Sequence, residues 1–380
     1  RTAEGVGSLT TATIAGKKVM LYTQKGIPPG GTLQATALYL WVTDNNRTFH
    51  LGPISMDTKR KWTSNNTLLH SNNALHLLQE RDSITTKVLS LSSLTGTLKK
   101  IKSVLKTWAK LDSFLSNSSV PTAGLVGFLS DASGDGTWND AYRCVGATVT
   151  NAKKVENGFK FTGSESYAMW PVNMWKHHYA HSFVNYAFTL VATVTIDEVP
   201  NGSASLLGAG LGDNENTTFV GLSYTLADEW ETVFNGMATI TENTWESWKE
   251  YQVALMLQGN KGSVYVDGVL VGSCDTLPTP EARGHHITHF YFGGGKDGSA
   301  KVKNVFLYNR PLNAVELKAV GDYDPSRKPA DDSSDAAEQR EDDSSDAAEK
   351  LAGDSSTCAD VSRLLLLLLL LGLWGFVALC

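Results

Sequence analysis

Short hydrophobic runs separated by turn residues make up the first ninety residues of the chain. The runs at 17–22, 37–42 and 74–78 have the length of strands, and Pro, Gly, Asp and Asn occupy much of the sequence between them. Strands at this spacing, starting without an evident partner, predict that residues 1–92 are the last blade or blades of a larger all-β domain. The chain starts in mid-pattern at Arg1 and is therefore expected to be a fragment of a longer precursor.

The hydrophobic period changes at Leu94. Apolar residues then recur at the three- and four-residue spacing of one helix face, at Leu98, Ile101, Val104, Leu105, Trp108, Leu111 and Leu115. This spacing predicts a helix over residues 93–118. Lysines occupy much of its remaining surface, a composition that also suits a helix binding a membrane or a partner protein. We favour a linker helix whose apolar stripe packs between two domains while its lysines remain in solvent.

Residues 122–322 return to the strand pattern. Apolar runs of strand length occur at 124–129, 188–196, 219–224, 251–257 and 263–271, and Gly-Asn-Lys-Gly and Asp-Gly supply hairpin turns. Roughly a dozen strands without an intervening helix predict two packed sheets. The hairpin that ends in Tyr-Val-Asp-Gly resembles those of concanavalin A-like and laminin-G-like β-sandwiches. The predicted class is therefore all-β, with a lectin-like sandwich as the second domain.

The pattern ends in a polar segment and an apolar tail. Residues 323–355 contain two near-copies of an acidic, serine-rich unit, which predicts a disordered, extended stalk. Seventeen uncharged residues follow from Leu364, fewer than the roughly 20 of a transmembrane helix. Small residues, a short spacer and a terminal apolar tail are the pattern of a glycosylphosphatidylinositol (GPI) signal. Residues 356–380 are predicted to be removed, with Asp354 or Ser355 as the attachment residue and the outer cell surface as the location, from which the protein could be shed.

Charge and cysteine content further narrow the classes of protein to which the chain could belong. The net charge is −6, but nine acids and two bases in residues 331–350 account for −7, which leaves +1 for the rest. We therefore expect no nucleic-acid partner. Cys144 and Cys274 could form one disulfide or remain two buried thiols, and the sequence does not decide between these. Five sequons predict N-glycosylation of a secreted protein at Asn46, Asn65, Asn117, Asn201 and Asn216.

Few residues have the spacing that is typical of a catalytic site or a metal site. Five histidines could act as metal ligands, at His177, His178, His285, His286 and His289. Adjacent strand residues point to opposite faces, so surface histidines are the favoured interpretation. No nucleophile and base can be combined into a site. The prediction is no metal, no cofactor and no catalytic residue within this chain.

One run near the end of the second domain is distinctive. It reads Val302-Lys303-Asn304-Val305-Phe306-Leu307-Tyr308-Asn309-Arg310. It resembles the V-T-V-x-N-V-[FL]-L-Y-N-R signature of the trypanosomal trans-sialidase superfamily, with Ala300 and Lys301 in place of the first Val and Thr. The runs at 38–44, 124–130, 188–196 and 371–376 are similar to the same family. The resemblance implies the end of a six-bladed sialidase-type β-propeller, a linker α-helix, a concanavalin A/laminin-G-like β-sandwich and a GPI anchor.

The resemblance also bears on activity. Active members hold the sialic acid carboxylate with three arginines and use a tyrosine nucleophile. One arginine position falls near Ala35 and the tyrosine position near Asn65, where neither residue type is present. Arg47 is not at a catalytic position of the family. The resemblance therefore implies a non-catalytic surface adhesin. An active sialidase or trans-sialidase and an antigenic decoy are the alternatives.

The signature run is proposed in this family to bind host ligands. Partners implied by the resemblance are host-cell surface or matrix proteins, and glycans as a further class. The ligand-binding candidates are Val305, Phe306, Leu307, Tyr308, Asn309 and Arg310. The residues themselves favour a buried strand, because the run is continuously apolar from Val305 to Tyr308. The resemblance adds the hypothesis that Tyr308, Asn309 and Arg310 are exposed where the strand ends.

Overall fold

A computed structural model of the chain describes residues 7–28, 36–58, 60–83, 85–132, 136–175, 178–179, 181–212, 217–293 and 295–324. The described residues belong to one compact unit and are mostly β-structure. Almost all of the predicted stalk, and the whole attachment signal with Asp354 and Ser355, lie outside them. Among the described residues, no helix combines the length and apolar composition needed to cross a membrane.

The first seven strands form two separate antiparallel sheets. In chain order they are β1 (Leu9–Ile14), β2 (Lys17–Gly26), β3 (Ala37–Thr43), β4 (Thr48–Met56), β5 (Lys61–Ser71), β6 (Ala74–Ser83) and β7 (Lys87–Ser93). Strands β1 to β4 pair consecutively in one sheet, and β5 to β7 in the other. Consecutive antiparallel strands are the arrangement of propeller blades. Strand β3 is buried almost throughout, which explains its unbroken apolar sequence.

A single long helix, α1 (Thr95–Asn117), follows the two small sheets. Six of its apolar residues are buried, at Leu98, Ile101, Val104, Leu105, Trp108 and Leu115. The 3.6-residue spacing seen in the sequence thus marks the face that packs against the rest of the protein. Since this apolar face is covered, the helix does not present it to a membrane, and its lysines lie on the outer side.

The remaining strands belong mainly to one sixteen-stranded antiparallel sheet. They are β8 (Leu125–Ala132), β9 (Thr137–Asp140), β10 (Ala147–Thr150), β11 (Lys153–Val155), β12 (Gly158–Thr162), β13 (Tyr167–Pro171), β14 (Asn173–Trp175), β15 (His178–Tyr179), β16 (Ala187–Glu198), β17 (Ser203–Leu211), β18 (Thr218–Thr225), β19 (Glu229–Phe234), β20 (Met237–Thr244), β21 (Glu250–Gln258), β22 (Lys261–Val266), β23 (Val269–Cys274), β24 (Ile287–Gly293) and β25 (Ser299–Tyr308). Strands β14 and β15 pair only with each other. A 3₁₀ turn covers Ser182–Asn185, and a short helix, α2 (Ala314–Gly321), follows β25.

In the large sheet, its first strand along the chain, β8, pairs with its last, β25. Its order is β20-β19-β18-β17-β24-β13-β10-β9-β8-β25-β16-β21-β22-β23, with β12 pairing β25 and β11 pairing β12. Strand β25 therefore has β16 on one side, and β8 and β12 in succession on the other. The signature run occupies the interior of the sheet, with hydrogen-bonded neighbours on both sides.

Two hydrophobic cores hold the unit together. The first, named the sandwich core after the predicted second domain, is formed mainly by buried residues of the large sheet, such as Trp138, Phe188 and Phe290. The joint core combines the small sheets, α1, α2 and the outer side of the sandwich, and contains Leu40, Trp108 and Phe306 among others. The blade strands and the sandwich are thus joined through apolar side chains rather than by the chain connection alone.

An ion pair between a buried arginine and a half-buried aspartate lies at the edge of the joint core. Arg47, in the turn after β3, is only 3% exposed and forms a bidentate pair with Asp112 of α1, at 2.6 and 3.0 Å. Its Nε donates to the Leu125 carbonyl at 2.9 Å, and its guanidinium lies 4.0 Å from the Tyr142 ring centroid. The Tyr142 hydroxyl donates to the same carboxylate at 2.9 Å. One arginine therefore ties the first small sheet to the helix and to the sandwich.

The structure corrects the suggestion of a disulfide. Cys144 and Cys274 are both free thiols. Cys144 packs against the joint core and Cys274 against the sandwich core, so the two residues serve different parts of the fold. The alternative of two separate thiols is the arrangement present.

His181 gives the sandwich a pH-dependent stability. The ring is 2% exposed, and the described residues provide no hydrogen-bond partner for either ring nitrogen. Burial lowers its pKa from 6.5 to about 4, so folding favours the neutral ring. Its contribution is complete above pH 6.5 and is lost as the pH falls towards 4.

Between pH 7 and pH 5 the free energy of unfolding falls in the unaltered protein. We predict that this fall is smaller by about 2 kcal/mol in His181→Leu. Urea unfolding of the two proteins at both pH values measures this difference. His285→Leu, at an exposed position, is the matched control and should leave the pH dependence as it is. Identical pH profiles for His181→Leu and the unaltered protein would contradict the prediction.

Candidate functional site

The signature strand lies between the two cores. In β25, Val305 and Leu307 belong to the sandwich core, whereas Phe306 and Tyr308 belong to the joint core. All four side chains are at most 1% exposed. A strand whose faces are both buried needs apolar residues at every position, so the run is continuous rather than alternating.

These positions correct part of the expectation from the signature. Tyr308 is fully buried, and among the described residues its hydroxyl has no hydrogen-bond partner. Burial also raises the pKa of this hydroxyl above its usual value. The four apolar residues Val305 to Tyr308 cannot meet a ligand from solvent in this fold, since cores cover both faces of the strand. The ligand-binding hypothesis therefore narrows to Asn309 and Arg310.

A bulge before the apolar run changes which side chains face which core. Asn304 has a φ of +48°, and the pairing of β25 with β16 shifts at this point, from Thr193↔Lys303 to Val191↔Phe306. Asparagine tolerates this left-handed conformation better than most residues. The Asn304 backbone N–H donates to the Asn157 carbonyl at 3.1 Å. The asparagine of the signature thus has a backbone role.

The strand leaves the sheet through two partly exposed residues. The Asn309 backbone N–H donates to the Gly124 carbonyl at 2.8 Å, and its side-chain amide lies 3.4 Å from the Asn46 side-chain oxygen. Asn46 is exposed and belongs to a sequon. The end of the signature strand therefore lies beside a predicted glycosylation position on the first small sheet.

Arg310 is held in place by an ion pair with helix α2. Its guanidinium forms two bonds to the Glu316 carboxylate, at 2.6 and 3.0 Å, and its Nε donates to the Ala123 carbonyl at 2.8 Å. This hydrogen bonding keeps the pKa of Glu316 below its usual value. Glu316 also accepts from the Asn313 backbone N–H, and Asn313 accepts from the Glu316 N–H, which completes a capping box. The Asn-x-x-Glu spacing was a signal in the sequence that could have predicted this helix start.

We predict that Arg310→Gln lowers the free energy of unfolding by about 1 to 2 kcal/mol, because Glu316 and Ala123 both lose a hydrogen-bond donor. The pair is partly exposed, which keeps the effect moderate. Lys318→Gln is the matched control, since Lys318 forms an exposed pair with Asp322 of 2.9 Å and should change stability by less than about 0.5 kcal/mol. Equal effects of the two changes in chemical unfolding would show that Arg310 has no special structural role.

Of the two residues near the sialidase positions implied by the resemblance, the structure describes Asn65. Asn65 lies on β5 with an exposed side chain, and its amide donates to the Glu80 carboxylate of β6 at 2.9 Å. Glu80 also pairs with Lys87 at 3.1 Å. Ala35 lies outside the described residues. An amide has no ionisable hydroxyl, so Asn65 cannot perform the nucleophilic step of a tyrosine.

The other predicted positions are distributed over the surface. Asn46, Asn65, Asn117 and Asn201 are exposed, and Asn216 lies outside the described residues. His285 and His286 are exposed and His289 is half-buried, while His177 and the His178 side chain are not described. No group of three His, Cys, Asp or Glu side chains that could hold a metal ion occurs in the described part of the chain.

Comparison with known proteins places these features in a family. The model of the trans-sialidase C-terminal domain matches residues 121–315, a BNR repeat-like domain matches residues 2–80, and the hydrophobic C-terminal segment of the trans-sialidase of Trypanosoma matches residues 360–379. Sialidase 85-1.1 of Trypanosoma cruzi is 45% identical over 97% of this chain and 53% of its own length. A second T. cruzi sialidase is 33% identical over 82% of this chain and 29% of its own length.

A solved structure supports the same relationship. Trypanosoma rangeli sialidase has a TM-score of 0.75 and 38% sequence identity, over 83% of this chain and 53% of that protein. This chain thus spans about half the length, or less, of the two curated relatives described above. Identity of 45% over 97% of the chain, together with the family model that matches residues 121–315, is sufficient to assign the chain to a family. The chain belongs to the trans-sialidase family.

Proposed function

We propose that this chain belongs to a surface glycoprotein that attaches to host cells or extracellular matrix and does not transfer sialic acid. The observation that carries the second half of the proposal is Asn65. It lies near the position where the family resemblance implies the tyrosine nucleophile, in a stretch without tyrosine, and its amide donates to the Glu80 carboxylate at 2.9 Å. The arginine-free stretch around Ala35 supports the same conclusion, because a carboxylate clamp of the family is then also missing.

The activity test uses the protein as the cell makes it, with any residues that precede Arg1. It is incubated with a sialylated donor and a galactose-terminated acceptor, and both transfer and hydrolysis are measured. We expect neither reaction. Asn65→Tyr should remain inactive as well, because restoring the hydroxyl does not restore the arginine. Transfer by the unaltered protein would overturn the proposal in favour of an active trans-sialidase.

The adhesive half of the proposal rests on Asn309 and Arg310. They are the only residues of the six signature candidates that reach the surface, and they lie beside Asn46. Asn309 suits a test that keeps the fold, because the hydrogen bond of its side chain within the described residues is the long one to Asn46, at 3.4 Å. We expect Asn309→Ala to weaken binding of the protein to host cells and to immobilised matrix proteins. Asn243→Ala, at another exposed asparagine, is the control.

Two outcomes separate adhesion from an antigenic decoy. Binding that is saturable, and that Asn309→Ala reduces while unfolding is unchanged, supports an adhesin. Absence of saturable binding by the unaltered protein would favour the decoy. The Asn309 variant is preferable to changes at Phe306 or Tyr308, since loss of binding there could report a damaged core.

We further propose a GPI anchor at the cell surface. Support comes from the match of residues 360–379 to the hydrophobic C-terminal segment of the family and from the small residues around Asp354 and Ser355. Phosphatidylinositol-specific phospholipase C should release the protein from intact cells. Replacing Asp354 and Ser355 together with bulky residues should reduce surface display. Retention after phospholipase treatment would argue against the anchor.

A further inference from the structure

Trp248 occupies an unusual position between β20 and β21. Its side chain is 66% exposed, although Trp245, three residues earlier, is 2% exposed. Its φ is +68°, a conformation that a bulky residue rarely adopts. The backbone N–H donates to the Ile196 carbonyl at 2.8 Å, which ties the turn to β16. Both the backbone conformation and the exposure of a large apolar ring oppose folding, so packing alone does not account for this tryptophan.

Lysines line the sheet face beside this ring. The Lys301 ammonium lies 5.0 Å from the Trp248 ring centroid. In the pairing of β12 with β25, Lys160 lies opposite Lys301, and in the pairing of β11 with β12, Lys153 lies opposite Lys160. Three lysines therefore form one row across adjacent strands, which are about 4.8 Å apart. Lys303 lies two residues beyond Lys301 and so points to the same face.

A buried carboxylate fixes part of the row. Asp197 is fully buried at its side chain, and it receives Lys160 and Lys301 at 2.8 Å each. Lys303 pairs with Glu250, and the described residues include no ion pair for Lys153. Four lysines and two acids leave a net charge of +2 on this face. Like charges directly opposite each other on a sheet are destabilising, and the row persists in spite of this cost.

We infer that Trp248 with Lys153, Lys160 and Lys301 forms a binding site for an anionic saccharide. An exposed indole face packs against the C–H face of a sugar ring, and lysine ammoniums bind carboxylate or sulfate groups as point charges. Asp197 holds two of these ammoniums in place before the ligand arrives, which reduces the entropy lost on binding. The inference gives the proposed adhesive function a ligand class and rests on that function for its biological role.

Two other polyanions fit the face less well. Nucleic acids are bound by long basic tracks, whereas the local excess here is two charges beside a single stacking ring. A membrane surface attracts clusters of about four to eight basic residues, more than the unpaired charge on this face supplies. A saccharide with one or a few anionic groups matches both the size and the charge of the site.

The binding test uses the whole chain and three immobilised probes. A heparin-derived hexasaccharide supplies sulfate, sialyllactose supplies a carboxylate, and lactose is the neutral comparison. We expect binding to one or both anionic probes, with affinity that falls as salt rises, and no comparable binding to lactose. The two anionic probes tell a sulfated source from a sialylated one. Equal binding to all three probes, or to none, would overturn the inference.

Two substitutions define the site without disturbing Asp197. Trp248→Asn removes the ring and keeps a residue that tolerates positive φ. Lys153→Glu reverses an exposed charge without leaving a buried group unpaired. Each should weaken binding to the anionic probe at least tenfold. Lys154→Glu is the matched control, because the next residue of β11 points to the other face, and its binding should stay within about twofold. If Lys154→Glu also abolished binding, the effect would depend on the overall charge of the protein, and the proposed site would be wrong.

Cell adhesion measured in parallel separates this inference from the proposed function. If Trp248→Asn abolishes saccharide binding and reduces adhesion, both are supported. If saccharide binding is lost and adhesion persists, the site stands and adhesion uses another surface. If the unaltered protein binds the saccharide but not host cells, the site stands and the adhesive function fails.

Discussion

Phe306→Ala is expected to lower the free energy of unfolding by about 3 to 5 kcal/mol, the range for removing a fully buried phenylalanine. Phe306 stacks on Phe128 with ring centroids 4.2 Å apart and meets the edge of Tyr323 at 5.5 Å. These rings come from β8, from β25 and from the chain just after α2, so a cavity there would loosen three parts of the joint core at once. Chemical unfolding monitored by tryptophan fluorescence measures the change.

Two controls isolate the cavity from the loss of hydrophobicity. Phe306→Leu keeps most of the volume and should cost clearly less than the alanine change. Val315→Ala removes an apolar side chain that is 79% exposed and should change stability by less than about 0.5 kcal/mol. A cost below about 1 kcal/mol for Phe306→Ala would mean that this face of the strand is not packed in the joint core as the structure has it.

This prediction also governs how adhesion experiments are interpreted. A variant that loses several kcal/mol from a typical total of 5 to 15 kcal/mol is partly unfolded or cleared from the cell. Loss of cell binding after changes within residues 305–308 would therefore occur whether or not those residues touch a ligand. Asn309, at the exit of the strand, is the position that separates contact from folding, because Arg310 also holds helix α2 in place through Glu316.

Local periodicity predicted the elements well. The change from alternation to a 3.6-residue spacing after Leu94 indicated a helix, and α1 runs from Thr95 to Asn117. Six of the seven apolar residues at this spacing are buried, and Leu111 is half-buried. The continuous run from Val305 to Tyr308 favoured a buried strand, and β25 is buried on both faces. These patterns predict the elements correctly because they depend only on which side of a helix or strand faces apolar surroundings.

The placement of Tyr308 required information that local sequence does not contain. Whether the last residue of a strand is exposed depends on what packs over it, and here the joint core is assembled from residues far apart in the chain. The two cysteines are a similar case, because each packs against a different core. The exposure of Trp248 could not have been predicted from composition, because the chain has nine other tryptophans and the backbone conformation at this position is what turns the side chain outwards.

The role of Arg47 was likewise invisible, because its partners are 65 and 78 residues away. As a residue in a polar Asp-Asn-Asn-Arg turn, it would ordinarily be assigned to solvent. The structure instead places its charge at the joint between the first small sheet, α1 and the sandwich. This position makes the second large prediction possible.

Asp112→Ala is expected to destabilise the protein by about 3 kcal/mol, because it leaves the buried Arg47 charge without its carboxylate. The Tyr142 hydroxyl loses its acceptor in the same change. Arg47 retains the Leu125 carbonyl and the Tyr142 ring, which keeps the effect towards the lower end for a broken buried pair. Unfolding in urea gives the magnitude. Limited proteolysis should show earlier cleavage near the ends of α1, where the blade strands and the sandwich are joined.

A double-mutant cycle distinguishes an unpaired charge from lost packing. Arg47→Met combined with Asp112→Ala removes both charges, and the double variant should be more stable than Asp112→Ala alone, because no buried charge then lacks a partner. The exposed pair of Lys318 and Asp322 supplies the comparison, with a coupling of at most about 0.5 kcal/mol. Similar couplings for the two pairs would mean that solvent reaches the Arg47 guanidinium. A much larger coupling between Arg47 and Asp112 would mean that this ion pair stabilises the joint core alongside the apolar contacts. It would also explain why one turn residue of the small sheet matters to the stability of the sandwich.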